Sequence, residues 1–191
     1  MEKRYNATEH NIELEKLHEF IRQHGETVCY DKGERLECEG KPARWWAFVE
    51  KGNFKYVARG DSDGREHISW FSCEGEFVGA YPDVLDGGKA QASIEAMTPC
   101  RVVRISGEQL EQFFSQSKET ERLGRRITAH VLKQFQRRSI ILLAATPLER
   151  YKQLFERCPG IINDLPLGAL ASFLGISKKT LSVVRRELVG G

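Results

Sequence analysis

The stretch Leu167–Arg186, LGALASFLGISKKTLSVVRR, constrains the fold more than any other part of the chain. It reads as two short helices meeting at a tight turn. Ala171 is small where two crossing helices would touch. Gly175 falls where a helix must stop in the left-handed conformation that glycine tolerates best. Ser177 follows as an N-cap, its hydroxyl placed to accept from amides of the next turn. Leu170, Leu174, Ile176, Leu181 and Val184 fall on the buried sides of the two helices. This is the pattern of a helix-turn-helix, whose second helix lies in a DNA major groove. The residues that helix offers to a duplex are Ser177, Lys178, Lys179, Thr180, Ser182, Val183, Arg185 and Arg186, mostly donors suited to phosphates and base edges. A plain helical hairpin with an internal glycine is the competing reading. The spacing of Ala171 and Gly175, the apolar set on both sides of the turn and the cations on the second helix argue against it.

Charge supports the same reading. The net charge is +2, but it is unevenly spread. Residues 1–119 carry 16 Lys and Arg against 22 Asp and Glu, a net of −6, whereas residues 120–191 carry 13 against 5, a net of +8. A basic module beside an acidic one fits a nucleic-acid binder with a separate sensing or assembly domain. The length of 191 residues allows one large domain or two small ones. No apolar run is long enough to span a bilayer, and the first residues, MEKRYNATEHNIELEK, lack the apolar core of a signal peptide. A cytoplasmic location with no membrane partner is expected. The five cysteines, Cys29, Cys38, Cys73, Cys100 and Cys158, form no C-x-x-C pair and are expected to be buried thiols. No metal site is expected.

Along the chain, residues 8–24 read as an amphipathic helix capped by Thr8, with Ile12, Leu17, Phe20 and Ile21 as its stripe. After Gly25 the character changes. Eight short segments rich in Val, Phe, Tyr, Trp and Ile alternate with glycine turns: ETVCYD, ERLEC, RWWAFVEKG, NFKYVAR, REHISWF, EFVG, ASIEAM and RVVRIS. They predict an all-β barrel or sandwich, with a hairpin at Asp61-Ser62-Asp63-Gly64. Gly107–Phe114 reads as a short closing helix. A long helix then runs from about Lys118 to Leu143, with Leu123, Ile127, Val131 and Phe135 recurring every four residues. These four are assigned to a dimer interface, packing on the chain's own barrel being the alternative. Arg122, Arg125, Arg126, Lys133, Arg137 and Arg138 are placed on its surface, and the apolar run Ile140–Leu143 is expected to be buried. Thr146-Pro147-Leu148-Glu149 is a capping box with proline at the first helical position, which sets a boundary and a hinge near residue 145. The next helix runs through Tyr151, Leu154 and Phe155 and stops at Cys158-Pro159-Gly160.

This sequence of parts, together with KGERLECEGKPARWWAFVEKGNFKYV, DGREHISWFSCEGEFVG, TPLERYKQLFERCPG and LGALASFLGISKKTLSVVRREL, resembles the CRP/FNR superfamily of transcription regulators over nearly the whole chain. The members it most resembles are those from Bacteroidetes. The resemblance implies an α+β fold: an N-terminal jelly-roll-like double-stranded β-helix, or β-roll, a long linking helix and a C-terminal helix-turn-helix domain of winged-helix type. The corresponding divisions are a sensor roll at 1–117, a dimerisation helix at 118–145 and a DNA-binding unit at 146–191. Since the chain ends soon after Leu188, no C-terminal β-wing is expected.

Members that bind cyclic AMP carry a phosphate cassette after the FxG segment, with Gly-Glu-Leu near its start and Arg-Ser or Arg-Thr near its end. By position the effector pocket here holds Phe77, Val78, Gly79, Ala80, Ala90 and Gln91. Alanine stands at Ala90 for the arginine and glutamine at Gln91 for the hydroxyl residue. Lys89 is adjacent, but its side chain would face away from position 90 in a strand. A cyclic phosphate needs a paired cation where water is excluded, so cyclic AMP is not expected to bind well. An iron–sulfur cluster is not expected, since no cysteine precedes Cys29. A haem remains a minor alternative, with His10, His18, His24, His67, His130, Cys29 and Cys73 as the available ligands. Val183 stands where many relatives carry a guanine-reading arginine, so the operator should differ or specificity should weaken.

The expected function is a homodimeric, sequence-specific DNA-binding regulator with RNA polymerase as a further partner and an unidentified small molecule, or none, in the roll. The competing reading is a sensing module whose helix-turn-helix serves protein–protein contact. No G-x-S-x-G, H-E-x-x-H or P-loop supports an enzyme.

Overall fold

The valine- and aromatic-rich segments pair into two four-stranded antiparallel sheets, seen in a computed structural model that describes residues 14–60, 64, 66–158 and 160–189. Expectations placed on Thr8, Ile12, Asp61, Ser62 and Asp63 lie outside the described residues. The strands are β1 (Glu26–Tyr30), β2 (Arg35–Glu37), β3 (Trp45–Lys51), β4 (Phe54–Arg59), β5 (Glu66–Ser72), β6 (Phe77–Gly79), β7 (Ser93–Ala96) and β8 (Cys100–Ser106). One sheet has the order β1-β8-β3-β6 and the other β2-β7-β4-β5. Period-two alternation sends Ala47, Val49 and Val102 into the space between the sheets, where they meet Phe54, Val78 and Ile94. The alternate residues Trp46, Val103 and Ile105 face outward and are covered by helices. The turn from β3 to β4 needs Gly52 (φ 88°), because a Cβ there would stand 2.6 Å from the Cys100 sulfur.

The covering helices are α1 (Glu15–His24), α3 (Gly107–Ser115) and the first half of α4 (Lys118–Ala144); α2 (Asp83–Asp86) is a single turn after β6. Leu17 and Ile21 of α1, Leu110, Phe113 and Phe114 of α3, and Leu123 and Ile127 of α4 form one cluster on the outer face of the roll. Capping boxes start α3 at Ser106 with Gln109 and α4 at Ser117 with Thr120. Among the described residues no single helix is long and apolar enough to cross a membrane.

The C-terminal part comprises α5 (Pro147–Arg157), α6 (Ile161–Asp164), α7 (Leu167–Leu174) and α8 (Lys178–Val189). Its first helix starts at the Thr146–Glu149 capping box. These helices share one core with the roll: Ile68, Phe71 and Met97 pack against Tyr151, Leu154, Leu170 and Phe173, and the rings of Phe71 and Phe173 lie 4.5 Å apart.

Three expectations are corrected here. Cys73 and Cys158 are not thiols but a disulfide joining roll to α5, with Cα atoms 6.7 Å apart; Cys29 and Cys38 are exposed, and Cys100 alone of the other three is buried. The run Ile140–Leu143 is not buried as a whole: Ile141 and Leu142 are half-buried, but Ile140 is exposed and Leu143 is 87% exposed, because the face these two share, three residues apart, is left uncovered by the described residues. Arg138 is not a surface residue of α4 but lies half-buried over the Phe173 ring, 3.8 Å from its centre.

Candidate nucleic-acid interface and effector cavity

Helices α7 and α8 cross at 92°. The bend is made by Gly175, whose φ of 65° and ψ of 36° are left-handed. Its amide donates to the Ser172 carbonyl at 3.1 Å and that of Ile176 to the Ala171 carbonyl at 3.0 Å, which satisfies the end of α7. The Ser177 hydroxyl then accepts from the Thr180 amide at 3.0 Å and starts α8. Leu170, Ala171, Leu174, Leu181 and Val184 are buried and Ile176 is partly so.

On the outer side of α8, Ser177, Lys178, Lys179, Ser182, Val183 and Arg186 are exposed. The Lys178 stem runs against α7, where a Cβ at Gly168 would lie 2.8 Å from its Cε. Thr180 is half-buried, with its hydroxyl 2.8 Å from that of Ser177, and the Ser182 hydroxyl donates to the Lys178 carbonyl at 3.0 Å. Arg185 differs from expectation: it is half-buried, with its Nε shut off from water. The cations that reach solvent are therefore Lys178, Lys179 and Arg186, with Val183, 43% exposed, on the same helix.

Three arginines hold this unit in place: Arg138, expected on the surface, and Arg150 and Arg157, to which the sequence reading gave no role. Arg150 donates to the carbonyls of Leu142, Ala145 and Leu174 at 2.8, 3.0 and 2.9 Å. Arg138 donates to the Phe173 carbonyl at 2.8 Å, and burial, with Arg157 and Arg150 nearby, lowers its pKa to about 10. Arg157 donates to the Phe71 carbonyl at 2.8 Å and to Glu76 at 3.0 Å, with its guanidinium 4.2 Å from the centre of the Trp70 ring. Helical spacing shows that an arginine lies on a helix; it does not show which distant carbonyl it reaches.

A cavity of about 600 Å³ lies between the roll and α4. Trp46, Tyr56, Trp70, Phe77, Tyr81 and Phe135 supply its aromatic walls. Of the predicted pocket residues, Phe77, Gly79, Ala80 and Gln91 line it. Val78 and Ala90 do not: both are packed away, 0% and 1% exposed, because strand alternation turns Val78 into the roll core and Ala90 sits under the segment at Gly40 and Lys41. Gln91 is turned aside, its amide donating to the Lys89 carbonyl at 2.9 Å. The charged lining consists of Glu76, Asp83 and Arg157, and the arginine is already paired with the glutamate. Burial, with Lys133 nearby, lowers the His130 pKa from its ordinary 6.5, and its ring meets Gln134 at 2.9 Å. Among the described residues this donor set does not fit a cyclic phosphate, which would bring a negative charge to a lining whose arginine is already paired with a carboxylate.

The four residues assigned to a dimer face divide between two tasks within the chain. Leu123 and Ile127 are buried on the roll, and Val131 packs beside them. Phe135 is half exposed and its ring lies 5.5 Å from that of Trp70, tilted by 37°, in the cavity wall. The apolar side chains that α4 leaves to solvent are instead Leu132, Ile140 and Leu143, along with the open edge of Phe135.

Residues 27–117 match the cyclic nucleotide-binding domain family. The fold is similar to that of FixK2 from Bradyrhizobium japonicum, with a TM-score of 0.74 and 20% identity over 87% of this chain and 85% of that one. It is similar to the c-di-GMP responsive global regulator CLP of Xanthomonas campestris, with a TM-score of 0.63 and 19% identity over 93% and 92% of the two chains. The catabolite activator protein of Thermus thermophilus gives a TM-score of 0.58 and 16% identity over 95% and 86%. No protein of curated function matches the sequence. Residues 27–117 thus match the cyclic nucleotide-binding domain family, within a chain whose fold is similar to the CRP-like fold of these structures.

Proposed function

We propose that the chain is a dimeric, sequence-specific DNA-binding transcription regulator of CRP/FNR type that does not respond to cyclic AMP. The carrying observation is α8: a helix crossing its partner at 92° that turns Lys178, Lys179 and Arg186 to solvent. In the major groove these cations bind phosphates, and Val183 meets a base edge, where a thymine methyl is its natural partner. Two copies, joined along the Leu132, Ile140 and Leu143 face of α4, present two such helices to half-sites one turn apart, ~34 Å. The regulator acts in the cytoplasm, on RNA polymerase at the promoter, and does no catalysis.

The test is fluorescence polarisation on a duplex selected from a random library, across a salt series. Lys178→Ala should weaken binding to all sequences alike and flatten the slope of log affinity against log salt by about 0.9. Unchanged binding would remove α8 from the interface. Calorimetry with cyclic AMP should give no micromolar binding. The second reading, that the helix-turn-helix meets a protein, draws on the exposed Val183, and a selection that yields no preferred duplex would favour it.

A further inference from the structure

We propose that the cavity between the roll and α4 binds an uncharged, flat aromatic molecule, with Arg157 of α5 forming the wall nearest the DNA-binding helices. This rests on the regulator reading and names the ligand class of its effector site.

Shape gives the first argument. Trp46 and Phe77 lie parallel at 5.6 Å on one side, with Tyr81 5.1 Å from Trp46. Trp70 and Phe135 stand together, 5.5 Å apart, as a second aromatic wall. Aromatic faces favour stacking or edge contact with another ring, and about 600 Å³ is within the usual range for a small-molecule site.

The second argument is that most of the polar groups are already used, the buried Trp46 Nε1 and Arg157 Nε being left without a partner. The Tyr56 hydroxyl accepts from the Gly79 amide at 3.1 Å and lies 3.3 Å from the Ser72 hydroxyl. The Tyr81 hydroxyl is bonded to that of Thr128, His130 to Gln134, and Ser69 to the Tyr56 carbonyl. A ligand with several polar groups would have to break these bonds or leave its own unmade, which costs affinity. An apolar one loses nothing by leaving water.

Charge supplies the third. Glu76 and Asp83 outnumber Arg157, so an anion is repelled. The lowered His130 pKa keeps its ring uncharged at neutral pH and adds no cation. Arg157 also gives the site a readout. It belongs to α5, lies over Trp70 and pairs with Glu76 of the roll, so a ring placed against Trp70 alters a contact between the two halves of the chain.

The experiment uses N-phenyl-1-naphthylamine, an uncharged aromatic dye whose emission rises when it leaves water, titrated into the full-length protein. The expected result is a micromolar Kd, undisturbed by millimolar cyclic AMP. Ala92→Trp places an indole in the cavity and should weaken dye binding at least tenfold. Ala58→Trp, from the neighbouring strand β4, should do the same if the first variant does not fold, and circular dichroism checks both. Equal dye binding by the folded filled variants and the parent, or displacement by micromolar cyclic AMP, would overturn the assignment. Loss of specific DNA binding with the dye site intact would count against the regulator reading alone, whereas a protein that binds DNA but not the dye would count against the cavity assignment alone.

Discussion

Replacing Arg157 by methionine keeps an unbranched side chain of similar reach on α5 while removing the cation that meets the roll. The arginine side chain is 17% exposed and that of Glu76 11%, so the pair is largely withdrawn from water. Breaking such a pair from one side takes the Arg157 cation from a buried carboxylate, a change that costs about 3–5 kcal/mol. Glu76 keeps the Cys73 amide as a donor at 3.0 Å, which places the expected loss near the lower end, ~3 kcal/mol. For a chain of this size that corresponds to a Tm lower by about 6–12 °C. The assay is thermal denaturation of the parent, Arg157→Met, Glu76→Gln and the double variant. The double should cost at least ~1 kcal/mol less than the two singles together, since each single strands the other partner. A single-variant loss below ~1 kcal/mol, or strict additivity, would show that the pair does not fasten the two halves and would refute the reasoning.

Leu143→Asp places a charge on the most exposed apolar residue of α4, and sedimentation velocity should shift from dimer toward monomer; an unchanged distribution would move the interface elsewhere. Reduction of Cys73–Cys158, which closes a separation of 85 residues, should lower unfolding stability by about 4–5 kcal/mol, and Cys158→Ser should reproduce the shifted urea midpoint without reductant. His18 packs on Phe48 and Phe77 with its Nε2 buried and unpartnered; burial, then Arg22, lowers its pKa from 6.5. Its neutral form therefore gives full stability above pH 6.5, and that contribution is lost as pH falls through the lowered folded value. Melts taken down to about pH 5.5 should show the loss, and His18→Phe should reduce it; equal slopes would refute this account.

What the sequence made legible was local. Gly175 ends a helix because only its own backbone conformation is at issue, and the Thr146–Glu149 box closes within a single turn. The eight strands followed from composition and glycine spacing for the same reason. The faces of α4 were not legible. Leu123, Ile127, Leu132 and Leu143 are all apolar, and periodicity does not say which of them meets the roll and which is left to solvent. The pairing of Cys73 with Cys158 and the reach of Arg157 to Glu76 join residues more than eighty positions apart. The cavity is divided among residues of β3 to β7, α4 and α5, and only Phe77, Gly79, Ala80 and Gln91 carried a recognisable signal.

The grip of Arg150 bears on how any signal could travel. Residue 145 marks a break in helical geometry, yet the chain cannot swivel there at will. Turning α5 to α8 against the end of α4 would strip Arg150 from Leu142 and Ala145, and Arg138 from Phe173. Three bonds from charged donors represent a barrier on the order of 5–9 kcal/mol before any packing is disturbed. The end of the long helix and α5 to α8 therefore move as one piece, and any torque must be absorbed where that piece meets the roll.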